Sequence, residues 1–191
     1  MQEFDAVILA GGAGRRLGGA DKPGLDVGGR TLLQRVADAA HDARTLIVVG
    51  PQRAAPAAHY VREHPPGAGP LAALRVGLAQ VASPWFALLA ADMPFFDESA
   101  LTALRAAAAS SGAGAVLVDA EERLQWTAGV WRAEALRVAL ADYSGRSLYG
   151  VLAPLAPEPV RLPEAAADCD TPQALAHARA RLGTGPARDA R

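Results

Sequence analysis

Every formal cation in the chain is arginine except Lys22, which closes a run of glycines. The run is "LAGGAGRRLGGADKPG", from Leu9 to Gly24, in which Gly11, Gly12, Gly14, Gly18 and Gly19 surround Arg15 and Arg16. Clustered glycines after an apolar stretch let the backbone turn sharply and bring its amides close to an anion. Arg15, Arg16 and Lys22 beside such amides could hold a polyphosphate. A compact ammonium on a flexible stem can follow a phosphoryl group through a reaction better than a planar guanidinium fork can.

A carboxylate supplies the complementary chemistry. "WFALLAADMPFF" sets Asp92 directly after a second apolar stretch. A carboxylate facing a polyphosphate needs a cation between them, and Mg2+ suits hard oxygen ligands with substrate phosphates completing its shell. "DCDTPQAL", Asp168–Leu175, brings Asp168 and Asp170 to a helix start. Asp170 has two open roles there, a second metal contact (direct or through water) or a helix cap.

The glycine run admits several readings. A P-loop needs Gly-x4-Gly-Lys-Ser/Thr; Gly14 and Gly19 have the spacing, but Ala20 follows and Lys22 precedes Pro23, so the pattern fails. A dinucleotide fingerprint fits at Gly12 and Gly14, but Leu17 stands where its third glycine belongs. The next strand also ends "VVGPQR", without the acid that binds a ribose. What remains is a triphosphate-holding loop without P-loop geometry, or a plain glycine turn with solvated arginines.

These residues need a scaffold. Short apolar runs at 5–10, 45–50 and 85–92 read as buried strands. Residues 59–63, 113–119 and 126–131 read as further strands. Helical spacing predicts helices over 30–43, 70–81, 97–111, 132–143 and 171–182, with Asp97 and Thr171 as caps and Gly112 as a stop. Strands alternating with helices predict a layered α/β fold with a mostly parallel sheet. In such sheets ligands bind beyond the carboxyl ends of the strands, which puts the glycine turn and Asp92 on one edge.

Composition narrows the function classes. A net charge of −1 gives no field that would gather nucleic acid or an anionic membrane. The lone cysteine, Cys169, excludes an internal disulfide and reads as a small core side chain; no cysteine–histidine set has zinc spacing. The start "MQEFDAVILAGG" lacks a signal-peptide layout, and no stretch reaches about 18 apolar residues. The expectation is a cytoplasmic protein. Arg75, Arg179 and Arg181 read as solvated helix faces.

"LAGGAGRRLGGADK" resembles the signature of the molybdenum cofactor nucleotidyltransferases, and its Gly-Gly-x-Asp-Lys ending resembles the guanylyltransferase branch. The resemblance implies a three-layer α/β/α sandwich, Rossmann-like and similar to nucleotide-diphospho-sugar transferases. It covers about Asp5–Leu182; one domain is expected over 1–182 and a disordered tail over 183–191. It implies transfer of GMP from GTP to the terminal phosphate of molybdopterin or Mo-molybdopterin, with loss of pyrophosphate and with Mg2+ as cofactor. Leu9, Ala10, Gly11 and Gly12 would contact the nucleotide. Lys22 and Arg15 would carry its phosphate charge, and Asp92, from an Asp-x-Pro motif, would bind Mg2+. Asp170 lies in a segment that resembles the family's C-terminal Asn/Asp-x-Asn/Asp-Thr-Pro motif. Molybdoenzymes or their chaperones would receive the product.

Other positions depart from the family. His64 stands where relatives often have an Asp that helps bind GTP, and Gly50 stands at a base-reading position where relatives can have Asn. Trp126 and Trp131 could face the pterin or pack in the core, and Arg146 could bind the acceptor's phosphate or be solvated. Competing functions are a cytidylyltransferase for the same cofactor, a sugar-phosphate or isoprenoid-pathway nucleotidyltransferase, and a carrier that holds molybdopterin and nucleotide without turnover.

Overall fold

A computed structural model describes residues 3–11 and 21–183. Its centre is a seven-stranded sheet. β1 (Phe4–Leu9) is flanked by β4 (Leu46–Val49) and β6 (Trp85–Ala90), both parallel to it. β5 (His59–Val61) adds to β4 in parallel. Beyond β6 come β8 (Leu124–Arg132), antiparallel, then β7 (Gly114–Val118) and an edge strand β9 (Glu158–Arg161) parallel to β7. The order is β5-β4-β1-β6-β8-β7-β9. The mostly parallel α/β/α architecture expected from the sequence is present.

Period-two alternation divides the core between the two faces of the sheet. Phe4, Ala6 and Ile8 of β1 meet Leu33 and Val36 of α1 (Leu32–Ala39) and Leu101 and Leu104 of α3 (Glu98–Ser111). Val7 of β1 and Phe86 and Leu88 of β6 meet the other face. That face carries Leu74 and Leu78 of α2 (Pro70–Leu78), Leu136 of α4 (Ala133–Ala141) and Val151 of α5 (Leu148–Leu152). Strands buried on both sides are nearly continuous apolar runs, which is why "AVIL" and "WFALLA" read so clearly.

Helix ends follow local chemistry. Asp97 accepts the Ala100 amide and Gly112 closes α3 in the left-handed region; Thr171 accepts the Ala174 amide at α6 (Pro172–Leu182). Several expectations need correction. The helix expected over 30–43 is confined to Leu32–Ala39, because Arg30–Thr31 (β3) pairs with Asp26–Val27 (β2) in a small hairpin and Thr31 forms a capping box with Gln34. Strand β9 and helix α5 were not expected. Arg75, Arg179 and Arg181 are exposed on their helices, as expected, and each also tethers a neighbouring segment. Arg75 donates to the Leu140 and Tyr143 carbonyls and Arg179 to the Asp26 carbonyl, while Arg181 pairs with Glu164 and lies over Phe95. Residues 184–191 of the expected tail lie outside the described residues. Among those described, no helix is long and apolar enough to cross a membrane.

The opposite edge of the sheet holds a buried carboxylate. Asp5 Oδ2 accepts the Ala82 and Ser83 amides at 2.8 Å each and Arg44 Nη2 at 3.1 Å. Burial pushes this carboxyl's pKa up, but the two amides and Arg44 outweigh it and hold it below the usual carboxylate value. A depressed folded pKa gives stability that is present above the unfolded value and lost as pH falls through the folded one. Asp5→Ala should lower unfolding free energy by about 2–3 kcal/mol, because the buried Ser83 amide, the Ala82 amide and Arg44 all lose their acceptor. Urea denaturation near neutral pH checks the loss. The gap to wild type should close as acid protonates the wild-type carboxylate.

Candidate active site

Parallel β1, β4 and β6 bring their carboxyl ends to one edge. Beyond β1 the chain passes Ala10 and Gly11; Gly12 and Arg15, both expected at the site, lie outside the described residues. The Ala10 amide already donates to Val49 O at 2.9 Å, so an anion held by this loop would draw on amides from Gly11 onward. Leu9 O accepts the Ala91 amide, which locks the first residue beyond β6 to the end of β1.

The chain re-enters the described region at Asp21 and makes one 3-10 turn, Lys22–Gly24, with Pro23 buried beneath it. Arg53, from the loop after β4, grips Asp21 with both terminal guanidinium nitrogens, at 2.6 Å for Nη1 and 2.5 Å for Nη2. These hydrogen bonds hold the Asp21 carboxyl below its usual range. A forked pair of this kind fixes direction as well as distance. Asp21 and Arg53 thereby orient the turn that carries Lys22, and their pairing was not legible in the sequence.

Lys22 Nζ donates to Asp92 Oδ2 at 2.5 Å and also to Asp170 Oδ1. Residues from three distant stretches thus meet at one point. Burial alone would lower the lysine's pKa, but the charges and hydrogen bonds of Asp92 and Asp170 outweigh it and raise it, so the ammonium stays charged. Cys169 ties the last segment in place: its amide donates to Asp92 O at 3.0 Å and its side chain is buried with Val27, Leu32 and Ala178. Burial, with the nearby carboxylates, pushes the Cys169 thiol up to about 11, so it is an inert core group. Thr171, not Asp170, caps α6, which leaves the Asp170 carboxylate for Lys22.

The sequence reading missed one acid. Glu63, two residues past β5, is only 6% exposed. Its Oε1 accepts the Gly67 amide at 2.8 Å, and a Cβ built on Gly11 would stand 3.8 Å from that oxygen. Its Oε2 is buried with no hydrogen-bond partner among the described residues. His64, the next residue, is exposed. Gly50 cannot carry a base-reading side chain: a Cβ there would lie 2.8 Å from Ala10 O. The available signal for Glu63 was an acid just beyond a strand that ends on the glycine-turn edge. Trp131 is fully buried in the α2/α4 face and belongs to the core.

Among the described residues, no three His, Cys, Asp or Glu side chains form a metal cage. Asp92 and Asp170 instead present two carboxylates to a single cation-sized position, now filled by an ammonium. That donor set fits Mg2+, which uses one or two carboxylates and leaves its other positions to water and substrate phosphate.

Residues 6–160 match the family described as the MobA-like NTP transferase domain. The chain is 33% identical over 152 residues to a probable molybdenum cofactor guanylyltransferase of Natronomonas pharaonis, an alignment covering 74% of each protein. Its fold is similar to that of a crystal structure of 2-C-methyl-D-erythritol 4-phosphate cytidylyltransferase from Thermus thermophilus. There the TM-score is 0.74 at 22% identity, over 94% of this chain and 98% of that one. It is also similar to molybdopterin-guanine dinucleotide biosynthesis protein A from Archaeoglobus fulgidus, with a TM-score of 0.69 at 18% identity over 93% and 97% of the two chains.

Proposed function

The chain belongs to the MobA-like NTP transferase family, and from that premise we propose that it transfers GMP from GTP to the terminal phosphate of molybdopterin. A phosphate oxygen of the acceptor attacks the α-phosphorus, the bond from that phosphorus to the bridging oxygen breaks, and pyrophosphate leaves. The observation that carries this reading is the meeting of Lys22, Asp92 and Asp170 beyond the ends of β1 and β6. The protein forms no covalent bond in such a transfer; positioning and charge stabilisation do the work.

Mg2+ is proposed as the cofactor, held by Asp92 and Asp170, and when bound it neutralises charge on the triphosphate. Lys22 keeps its proton and carries a mobile positive charge at the reacting phosphates; its four-carbon stem lets the ammonium pass from carboxylate to phosphate oxygen. Asp21 and Arg53 hold its turn in place. Arg15 and the backbone of Leu9, Ala10, Gly11 and Gly12 are proposed nucleotide contacts. The acceptor is molybdopterin or its molybdenum-loaded form, and molybdoenzymes or their chaperones would take the product.

The preference for guanine rests on Glu63. Guanine carries two adjacent donors, N1–H and the 2-amino group, where cytosine presents an acceptor beside its amino group. A buried carboxylate oxygen with no partner among the described residues favours the first pattern and repels the second. Glu63→Gln should lower kcat/KM for GTP about tenfold, the worth of one charge-assisted hydrogen bond, and narrow the GTP-to-CTP ratio by the same factor. Steady-state kinetics with both nucleotides reads this. An unchanged ratio would remove Glu63 from base selection.

The reaction itself is tested by incubating the protein with Mg2+, molybdopterin and each nucleoside triphosphate in turn and following pyrophosphate. GTP-selective release is the expected result. CTP-selective release would make the protein a cytidylyltransferase. Tight binding of both substrates without release of pyrophosphate would make it a carrier.

A further inference from the structure

The start of β8 departs from sheet regularity next to the catalytic edge. β8 runs against β6 only as far as Leu89 opposite Ala128, so Leu124–Thr127 extends past the paired end of β6, one strand over from Asp92. On its other side, pairing with β7 jumps from Val116 opposite Gly129 to Leu117 opposite Gln125, which leaves residues 126–128 without partners on β7. A bulge of this kind re-aims side chains. Ala128 and Val130 face α1 and α3, and simple alternation would send Trp126 there too; instead Trp126 packs toward the α2/α4 face.

There it meets Tyr149. The two rings lie edge to face, 5.6 Å between centroids and 80° between planes. Tyr149 is 64% exposed, one of two large hydrophobic side chains that the described surface leaves so open. Its helix is nevertheless firmly seated. Leu148, Val151 and Leu152 of α5 are buried, and Ser147 caps the helix by accepting the Gly150 amide at 3.1 Å. Gly150 lets the Tyr143 phenol lie against the helix, since a Cβ there would come within 2.1 Å of the Tyr143 hydroxyl. An aromatic ring held out to solvent by a rigid element has little conformational freedom to lose on contact with a ligand.

The layout along the edge identifies the occupant. Glu63 follows β5, Lys22 and Asp92 stand at β1 and β6, and Trp126 stands at β8. Four strand spacings separate the first site from the last, about 19 Å at about 4.8 Å each. A base at one end and reacting phosphates at the centre leave the other end for the acceptor's ring system. The acid nearest that end, Asp119, is fully engaged by its own hairpin through the Glu121 and Arg123 amides and the Arg123 and Gln125 side chains. Resting on the guanylyl-transfer reading above, we propose that Trp126 and Tyr149 form the platform for the acceptor's flat pterin ring, which stacks on the exposed Tyr149 ring while Trp126 holds that ring edge-on.

The test uses the full chain and molybdopterin, with binding measured by titration calorimetry without nucleotide. Tyr149→Ala should weaken molybdopterin binding about tenfold, the scale of one lost stacking contact. It should raise the acceptor KM similarly, with kcat and the GTP KM within twofold of wild type. Tyr149→Phe should behave as wild type. Trp126→Leu, checked first for an unchanged melting temperature, should match Tyr149→Ala. Guanylyl transfer with wild-type acceptor KM in both truncated variants would overturn the platform and leave the transfer reading standing. Molybdopterin binding that depends on Tyr149, without transfer of GMP, would do the reverse. A wild-type protein that fails to bind molybdopterin overturns the platform as well.

Discussion

Asp92→Asn should cut pyrophosphate release roughly a thousandfold, at the upper end of what one removed electrostatic group costs at a reaction centre. The change keeps shape and replaces an anion by a neutral amide. Asp92 lies two residues beyond β6, and its backbone oxygen accepts the Cys169 amide whichever side chain stands there, so the variant should keep the fold. The site depends on it strongly. Lys22 would be left with the Asp170 carboxylate alone, and the proposed metal would lose one of two protein oxygens. The measurement is initial rate against Mg2+ concentration at saturating GTP and molybdopterin. A variant within tenfold of wild type at every Mg2+ concentration would show that Asp92 has no part in the chemistry.

The second large effect is expected at Lys22, where keeping the charge should not rescue the rate. Lys22→Arg should be at least a hundredfold slower, and Lys22→Ala about a thousandfold. The reason lies in the two carboxylates that face the ammonium. A guanidinium set between Asp92 and Asp170 makes parallel forked hydrogen bonds that hold both acids and keep its charge from the phosphates. Lys22→Arg should therefore be as stable as wild type and much slower. Lys22→Ala leaves two carboxylates facing each other without a cation, so its melting temperature should fall and recover on addition of Mg2+. Parallel melting curves and rates separate the cases. Near-wild-type turnover in Lys22→Arg would show that any positive charge at this position suffices.

Much of this arrangement was legible in the sequence because burial on both faces leaves a plain apolar trace. β1, β4 and β6, which set the catalytic edge, are such runs, and their order with α1 and α2 implies parallel pairing. Lys22, Asp92 and Asp170 stood out because strand ends and a helix start are marked by glycine, proline and threonine. Elements without that contrast stayed hidden. The hairpin strands Asp26–Val27 and Arg30–Thr31 are too short to display alternation, and β9, "EPVR", is a mostly exposed edge strand whose residues resemble a loop. Glu63 was hidden for a different reason. Nothing in a polar stretch tells which of two neighbours, Glu63 or His64, turns inward; packing beside Gly11 decides it. The Asp21–Arg53 fork joins residues 32 positions apart and has no local sign at all.

The small core of Val27, Leu32, Cys169 and Ala178 clips the last helix to the first hairpin. Synthesis delivers the chain from its amino end, so every strand described above emerges before Asp170 and α6 do. A nascent protein can therefore zip its whole sheet while the pincer around Lys22 still lacks one jaw. Competence arrives with Asp170 and α6, and a product cut just after β9 would pass for folded by its strand content while having no assembled centre to work with.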